Sequence, residues 1–319
     1  MERVAVTGGA GYIGSVLVSR LLDQGLGVLS LDNLRRGDYS FLERYKENPL
    51  LELGIVDIRR TGQVEEALRA FGDVDVVFHL AAIPGLQLCD EFPEEAVAVN
   101  VLGTYYLLET VRKLGIPRVV FASSAAVYGF PIRLPINEEH PLRPVNLYGV
   151  TKLAGEKLLS ASFEIYGLET VSLRFANVYG VGLYTHYDTV IPRFVKLALE
   201  GNPLTIYGDG KSSRNYVHVS DVVEAVQLFG KADVRLLNGE AFNIGGETMI
   251  VAEVAGTVVD EVYKATRKNT EIIYLPPRSG EAKEFDCSTD KIRGKLGFLP
   301  RWTVRDGVKQ LVDYHLRME

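Results

Sequence analysis

Cysteine is scarce in this chain. Its 319 residues include two, Cys89 and Cys287. That is too few for a disulfide framework, and the pair lacks metal-ligand spacing. Both are expected to be packed thiols. No apolar run is long enough to span a membrane. Basic residues are not in excess: 35 Lys+Arg stand against 41 Asp+Glu, for a formal net charge of −6. A nucleic-acid partner would need a basic footprint, so none is expected. There is no internal repeat, low-complexity tract or clear linker. No signal peptide is expected, because a glycine turn starts almost at once, and the cytoplasm is the default location. What remains, 47% hydrophobic and 24% charged, suits a globular enzyme with a sizeable core and room for two lobes.

The first pattern present is MERVAVTGGAGYIGSVLVSRLL. Val4 to Val6 read as a buried strand. Gly8, Gly11 and Gly14 follow, and Ile13, Leu17, Leu21 and Leu22 then recur at helical spacing. A strand, a glycine-rich turn and a helix in this order predict a dinucleotide-binding entry, with Tyr12 and Ile13 opening the helix. Gly8 would permit the tight turn, Gly11 would let the backbone approach a pyrophosphate, and Gly14 would let the helix pack on the sheet. The helix N-terminus would then face the phosphates with N–H groups and partial positive charge. A second strand, Val28 to Leu31, ends at Asp32, beside Asn33. An acidic side chain there accepts from ribose hydroxyls and repels a 2′-phosphate, which favours NAD over NADP. Arg35 and Arg36 could argue for NADP, but they read more simply as solvated loop charges.

Strands and helices alternate through the first half. VDVVFHL ends in Leu80, Ala81 and Ala82, VLGTYYLLETVRKLG reads as one helix closed by Gly115, and RVVFASS ends on Ser123 and Ser124. Asp57 closes a short strand, ELGIVD, where its carboxylate suits an adenine amine or the N-cap of a helix. Ile58 follows it. Such alternation predicts an α/β fold: a Rossmann-like, doubly wound parallel sheet with ligands at the carboxyl ends of its strands. Residues 1–175 would form this domain, with 215–247 returning to it. Residues 176–214 and 248–319 would form a smaller, irregular C-terminal substrate lobe.

NLYGVTKLAGEKLL places Tyr148 and Lys152 four apart, one turn along a helix face. A phenol beside a fixed ammonium should lose its proton more readily than a free one. A hydroxyl from Ser124 could hold a substrate oxygen between them. The spacing alone is common; its company is not.

With these motifs in place, the chain resembles the extended short-chain dehydrogenase/reductase family, in its nucleotide-sugar branch, and is similar to the UDP-glucose 4-epimerases. The resemblance rests on TGGAGYIG, Asp32-Asn33, VDI at 56–58, HLAA at 79–82, Asn100, SSAAVYG, Tyr148 with Lys152, RFANVYG, GDGKSSRNYVHVSD, FNIGG, and the run from Arg278 to Glu281. It implies held NAD and a UDP-sugar substrate. Tyr148 would be the catalytic base, Lys152 would bind the nicotinamide ribose and lower the tyrosine pKa, and Ser124 would bridge to the sugar. Asp57 and Ile58 would line the adenine pocket, and Leu80, Ala81, Ala82 and Asn100 the cofactor channel. Asn177, Arg214 and Arg278 would hold the diphosphate, where planar guanidinium forks bind oxygen pairs. Val190 and Tyr207 would lie near the nucleobase, and Glu281 with Arg278 in the substrate lobe. The resemblance also implies a homodimer through the Tyr148 helix.

Related dehydratases and decarboxylases carry acidic residues just after the Ser124 position. Here Ala125 and Ala126 stand there, so the expected reaction is reversible oxidation at sugar C4. Three features depart from the pattern. Residues 83–89 lack a basic side chain, Asn215 replaces an Asp, and Phe285 should crowd an N-acetyl group. UDP-glucose and UDP-galactose are therefore expected over UDP-GlcNAc or UDP-glucuronate. Other readings are a ketoreductase that releases its cofactor each turn, or a non-catalytic NAD-binding protein.

Overall fold

The computed structural model describes residues 1–183, 189–237, 239–277 and 283–318. The short apolar runs of the first half become strands because each can be buried on two faces. In β1 (Arg3–Thr7), Val4 and Val6 pack into one core cluster and Ala5 into another, as the two-residue period of a strand requires. The next strands are β2 (Gly27–Asp32), β3 (Leu51–Ile55), β4 (Val76–His79), β5 (Arg118–Ser124) and β6 (Glu169–Phe175). After β7 (Asn177–Tyr179), β8 (Leu204–Tyr207) and β9 (Ser213–His218), the chain returns in β10 (Ala241–Ile244). β11 (Glu247–Ile250) and β12 (Ile272–Leu275) complete the strands of the described residues.

Seven strands form one sheet in the order β10-β6-β5-β4-β1-β2-β3. Every pairing in it is parallel. The order runs outward from β1 in two directions, so a crevice opens at the strand ends between β1 and β4. The helices Tyr12–Asp23 and Val219–Lys231 cover one face, and Thr61–Phe71, Thr104–Leu114 and Leu147–Tyr166 cover the other. β9 pairs with β7 and β11 in a smaller sheet, and β8 with β12 in a two-stranded one. These small sheets and the helices Val190–Leu199, Val251–Thr266 and Val304–Met318 share a third core around Tyr179, Phe194 and Tyr216. Within 215–247, helix Val219–Lys231 and β10 belong to the large sheet, whereas β9 stays with the small one.

Two local expectations fail. The run 101–115 is not one regular helix: Ala98–Gly103 forms a wider π-helical turn before the α-helix Thr104–Leu114. Thr104 Oγ1 donates to the Asn100 carbonyl at 2.7 Å, and a Cβ on Gly103 would meet Ile58 at 2.8 Å. Such bulges are frequent at functional sites. Asp57 is not a helix N-cap either. β3 stops at Ile55, the cap position of the next helix is Arg60, and Asp57 instead accepts from the Arg59 N–H at 2.9 Å.

Leu147–Tyr166 is the longest helix among the described residues. Asn146 caps its start by accepting from the Gly149 N–H at 2.8 Å, and Gly167 ends it with φ +69°. It lies very close to β5, since a Cβ on Gly155 would meet the Phe121 ring at 2.6 Å. Gly155→Val should therefore cost about 1–3 kcal/mol by overpacking. Urea unfolding should show a lower midpoint; an unchanged midpoint would mean that the helix is free to shift away from the sheet.

Candidate active site

A cleft of about 520 Å³ lies at the crevice between β1 and β4. Its first wall is the glycine turn. Gly8 has φ +74°, and a Cβ there would meet the Ala81 N at 2.7 Å. A Cβ on Gly14 would overlap the Gly8 carbonyl oxygen, so this glycine lets the helix pack on the turn itself rather than on the sheet. Gly11 is different. A Cβ there would meet only the Gly8 oxygen, at 3.2 Å, and would otherwise project into open space. No side chain caps the helix that Gly11 precedes. An open backbone cradle at an uncapped helix N-terminus fits a pyrophosphate. Tyr12, Ile13 and Gly14 line the cleft, and the Tyr12 hydroxyl donates to the Gly180 carbonyl at 2.8 Å.

At the far end, Asp32 accepts from the Ala10 N–H at 3.1 Å and from the Leu34 N–H at 2.9 Å. Burial pushes its carboxyl up, against the pull of these backbone donors. Asn33, Asp57 and Ile58 line the cleft beside it. Asp57 is held by the Arg59 guanidinium at 2.5 Å, and this hydrogen-bonded ion pair pulls its carboxyl down to about 2. Arg35 also lines the cleft, yet it pairs with Glu95 and lies over the Phe92 ring, 5.1 Å from its centroid. It remains an exposed loop charge, with a protein carboxylate as its partner.

The floor is set by hydrogen bonds between buried side chains. His79 lies between Thr7 Oγ1, 2.7 Å from Nδ1, and Thr104 Oγ1, 2.9 Å from Nε2. The Thr104 hydroxyl donates to Asn100 O, so it accepts from Nε2–H, and Thr7 donates to Nδ1. Thr7 in turn accepts from the Ala81 N–H at 3.3 Å. Burial first, then the nearby Lys152 charge, push the imidazole down to about 3. Leu80, Ala81 and Ala82 line the cleft above it. Asn100 does not. Its amide accepts from the Ile83 N–H at 2.8 Å and donates to Ile83 O at 3.1 Å and Thr151 Oγ1 at 3.0 Å. Asn100 therefore shapes the cleft wall from behind.

Tyr148 and Lys152 both face the cleft. Ser124 does not line it directly, but its hydroxyl is hydrogen-bonded to the Tyr148 phenol. The Ser124 Oγ also accepts from the Ala126 N–H at 3.2 Å. The expected lowering of the phenol is not found. Burial pushes Tyr148 up to about 12, opposed by its Ser124 bond. The Lys152 ammonium sits 5.8 Å from the Tyr148 ring centroid and donates instead to the Ala122 carbonyl at 2.8 Å. It is only 4% exposed, and burial pulls it down to about 8.

Sequence reasoning missed the layer beneath. Glu156, one turn past Lys152, accepts from Ser123 Oγ at 2.5 Å and from both arms of Arg174, at 2.9 and 2.7 Å. Arg174 continues to the Tyr128 hydroxyl at 2.9 Å, and Tyr128 donates to Asn243 Oδ1 at 2.6 Å. The signal available was the i, i+4, i+8 spacing of Tyr148, Lys152 and Glu156.

Asn177, Tyr207 and Arg214, three of the candidate substrate residues, lie on the smaller sheets. Asn177 donates to the Asn215 carbonyl at 3.0 Å, and Arg214 lies on β9, donating to Ser213 O at 2.8 Å. Val190 begins a helix and packs against the third core, and Tyr207 ends β8. Arg278 and Glu281 lie outside the described residues. Phe285 packs on a cluster of Ala125, Val127, Tyr128, Ile136 and Cys287. Asn215 holds the Gly246 carbonyl at 3.1 Å and Thr248 Oγ1 at 2.9 Å, beside Asp286 at 3.3 Å. An Asp in its place would set two carboxylates together.

The sequence profile of the NAD dependent epimerase/dehydratase family matches residues 4–245. A putative UDP-glucose 4-epimerase of Methanocaldococcus jannaschii is 36% identical, covering 98% of this chain and 97% of its own. A UDP-N-acetyl-alpha-D-glucosaminuronate decarboxylase of Bacillus cytotoxicus is 31% identical over 100% of this chain and 99% of its own. The crystal structure of Thermus thermophilus UDP-glucose 4-epimerase in complex with NAD superposes with a TM-score of 0.86 at 35% identity, covering 99% of each chain.

Gly11→Val adds bulk where the pyrophosphate would lie, with the Gly8 oxygen as its one close protein neighbour among the described residues. It should keep the fold, by circular dichroism, and lose NAD binding in a calorimetric titration. Full affinity in that variant would remove the pyrophosphate from this turn.

Proposed function

The chain belongs to the NAD-dependent epimerase/dehydratase family, and we propose that it interconverts UDP-glucose and UDP-galactose through a transient 4-keto sugar. Its cofactor is NAD. The observation that carries the reading is the pair Ala125 and Ala126 directly after Ser124. Neither side chain can protonate a leaving hydroxyl or assist loss of a carboxylate. What is left at this site is proton transfer by Tyr148 and Ser124.

In this mechanism Tyr148 takes the proton of the sugar 4-hydroxyl and later returns it, with the Ser124 hydroxyl holding the oxygen. General acid–base help of this kind is worth roughly 10²–10⁴-fold. When bound, NAD supplies the acceptor and donor of hydride. Lys152, which lines the cleft beside Tyr148, would hold the nicotinamide ribose. Asp32 holds the adenosine ribose, and the backbone at Gly11 the pyrophosphate. Asn177, Arg214 and Arg278 grip the sugar diphosphate, so that the hexose alone is free to turn over and present its other face. Phe285 supports a hexose without an N-acetyl group, because it packs on the cluster that contains Ala125, next to Ser124.

Purified protein mixed with UDP-glucose should yield UDP-galactose without added cofactor, resolved by chromatography. Parallel runs with UDP-GlcNAc and UDP-glucuronate test the sugar assignment, and absence of a 4-epimer from all of them rejects the reaction. Tyr148→Phe should keep bound NAD and lose turnover by about 10²–10⁴-fold; a variant that remains active would dismiss Tyr148 as the base.

We also propose a homodimer. Val97, Leu102 and Tyr105 on one helical stretch and Val150 and Ile165 on the Tyr148 helix are exposed apolar side chains that a second copy would cover. Sedimentation should give twice the chain mass, and a monomer at working concentration would refute the pairing.

A further inference from the structure

The last three residues of β5 meet one face of the Tyr148 helix in register. The Ser124 hydroxyl bonds Tyr148, the Ser123 hydroxyl donates to Glu156 at 2.5 Å, and the Ala122 carbonyl accepts from Lys152 at 2.8 Å. Tyr148, Lys152 and Glu156 are the i, i+4 and i+8 positions of that helix, so Glu156 lies one turn from the ammonium. Its carboxylate is 6% exposed and is fixed by the bidentate Arg174, itself 5% exposed. Two side chains from two strand ends thus fix the height and rotation of the catalytic helix through one carboxylate.

We propose that Glu156 is a positioning residue for the proton-transfer pair, acting as the buried counter-charge of Lys152 and as the bolt between its helix and the ends of β5 and β6. This rests on the reading of Tyr148 and Lys152 given above. The groups facing Lys152 can be enumerated by element. Tyr148 and Glu156 share its helix. Cys89 approaches from the helix Leu86–Glu91, and His79 from β4. Phe121 of β5 places its ring 5.0 Å from the ammonium. Burial discharges Lys152, while Cys89 and Glu156 act to keep it charged. The Cys89 thiol is pushed up by burial and so stays neutral at neutral pH. His79 is also neutral there. Glu156 is then the anion that opposes the loss of the Lys152 proton. Arg174 meets Glu156 from the side of β6.

The sign follows. Without the Glu156 charge, Lys152 gives up its proton at lower pH, so ribose binding and turnover that need the ammonium fail at lower pH too. The test is the Glu156→Gln variant of the full chain. The Lys152 titration is read from its labelled side-chain carbon by NMR, assigned by its disappearance in Lys152→Arg. The midpoint should fall by about one pH unit or more. The alkaline limb of kcat should move with it, with KM for the nucleotide sugar changed less than twofold. An unchanged midpoint in a folded Glu156→Gln protein overturns the proposal. Should that variant fail to fold because Arg174 is left unpaired, Glu156→Gln with Arg174→Met removes both charges and decides the matter. The proposal expects the lowered midpoint to persist there, and a wild-type midpoint and pH profile overturn it. If the wild type turns over no nucleotide sugar, the functional reading fails while the NMR comparison still decides the role of Glu156.

Discussion

An ammonium group almost wholly buried at the wall of the cofactor cleft sets the terms for the rest of the site. Taking such a charge out of water costs several kcal/mol unless the protein replaces the lost solvation. Here the replacement is one backbone carbonyl, Ala122 O, and one carboxylate a turn away. Both must stay in place. The carbonyl is fixed by the β5–β6 ladder, and the carboxylate by Arg174 and Ser123. The close approach at Gly155 is what brings the helix near enough for Lys152 to reach the strand. Sheet register, helix packing and the charge state of one side chain are therefore parts of the same constraint.

The glycine turn, Asp32, the alternation of strands and helices, and the Tyr148–Lys152 spacing were legible because each depends on local sequence. Gly8 and Gly14 must be glycine to avoid overlap with the backbone around them, and such demands leave a fixed spacing in the chain. Glu156 and Arg174 were not legible. A Glu four residues past a Lys reads as a solvated helix pair, and only the folded positions of β5 and β6 show that it is buried. The bonds of Asn100 were not legible for a related reason. Its place in the motif order suggested a cofactor contact, and the fold shows its amide bonded to Ile83 and Thr151 behind the cleft wall. The π-helical turn that carries it has no distinct apolar period, so the sequence read as one plain helix. Asp57 was half-read: a carboxylate at the adenosine edge was expected, its capture by Arg59 was not.

The departures from the family pattern find local reasons. Asn215 stands beside Asp286, and an amide can both donate and accept where a carboxylate could only repel. The segment from Ile83 to Cys89 lacks a cation, and its backbone is anchored instead by the Asn100 amide and by the Cys89 thiol, which donates to Ile83 O at 3.4 Å. Cys89 is thus a packed thiol with a structural bond, and Cys287 sits in the cluster beneath Phe285.

The Thr7–His79–Thr104 chain has one more consequence. Its donors all run the same way, from the Ala81 N–H to the Asn100 carbonyl, and its imidazole takes up a proton only near pH 3. The imidazole therefore adds no charge beneath the cofactor cleft across the neutral range. A histidine at the centre of an active site invites assignment as a pH sensor, but this one is a strut.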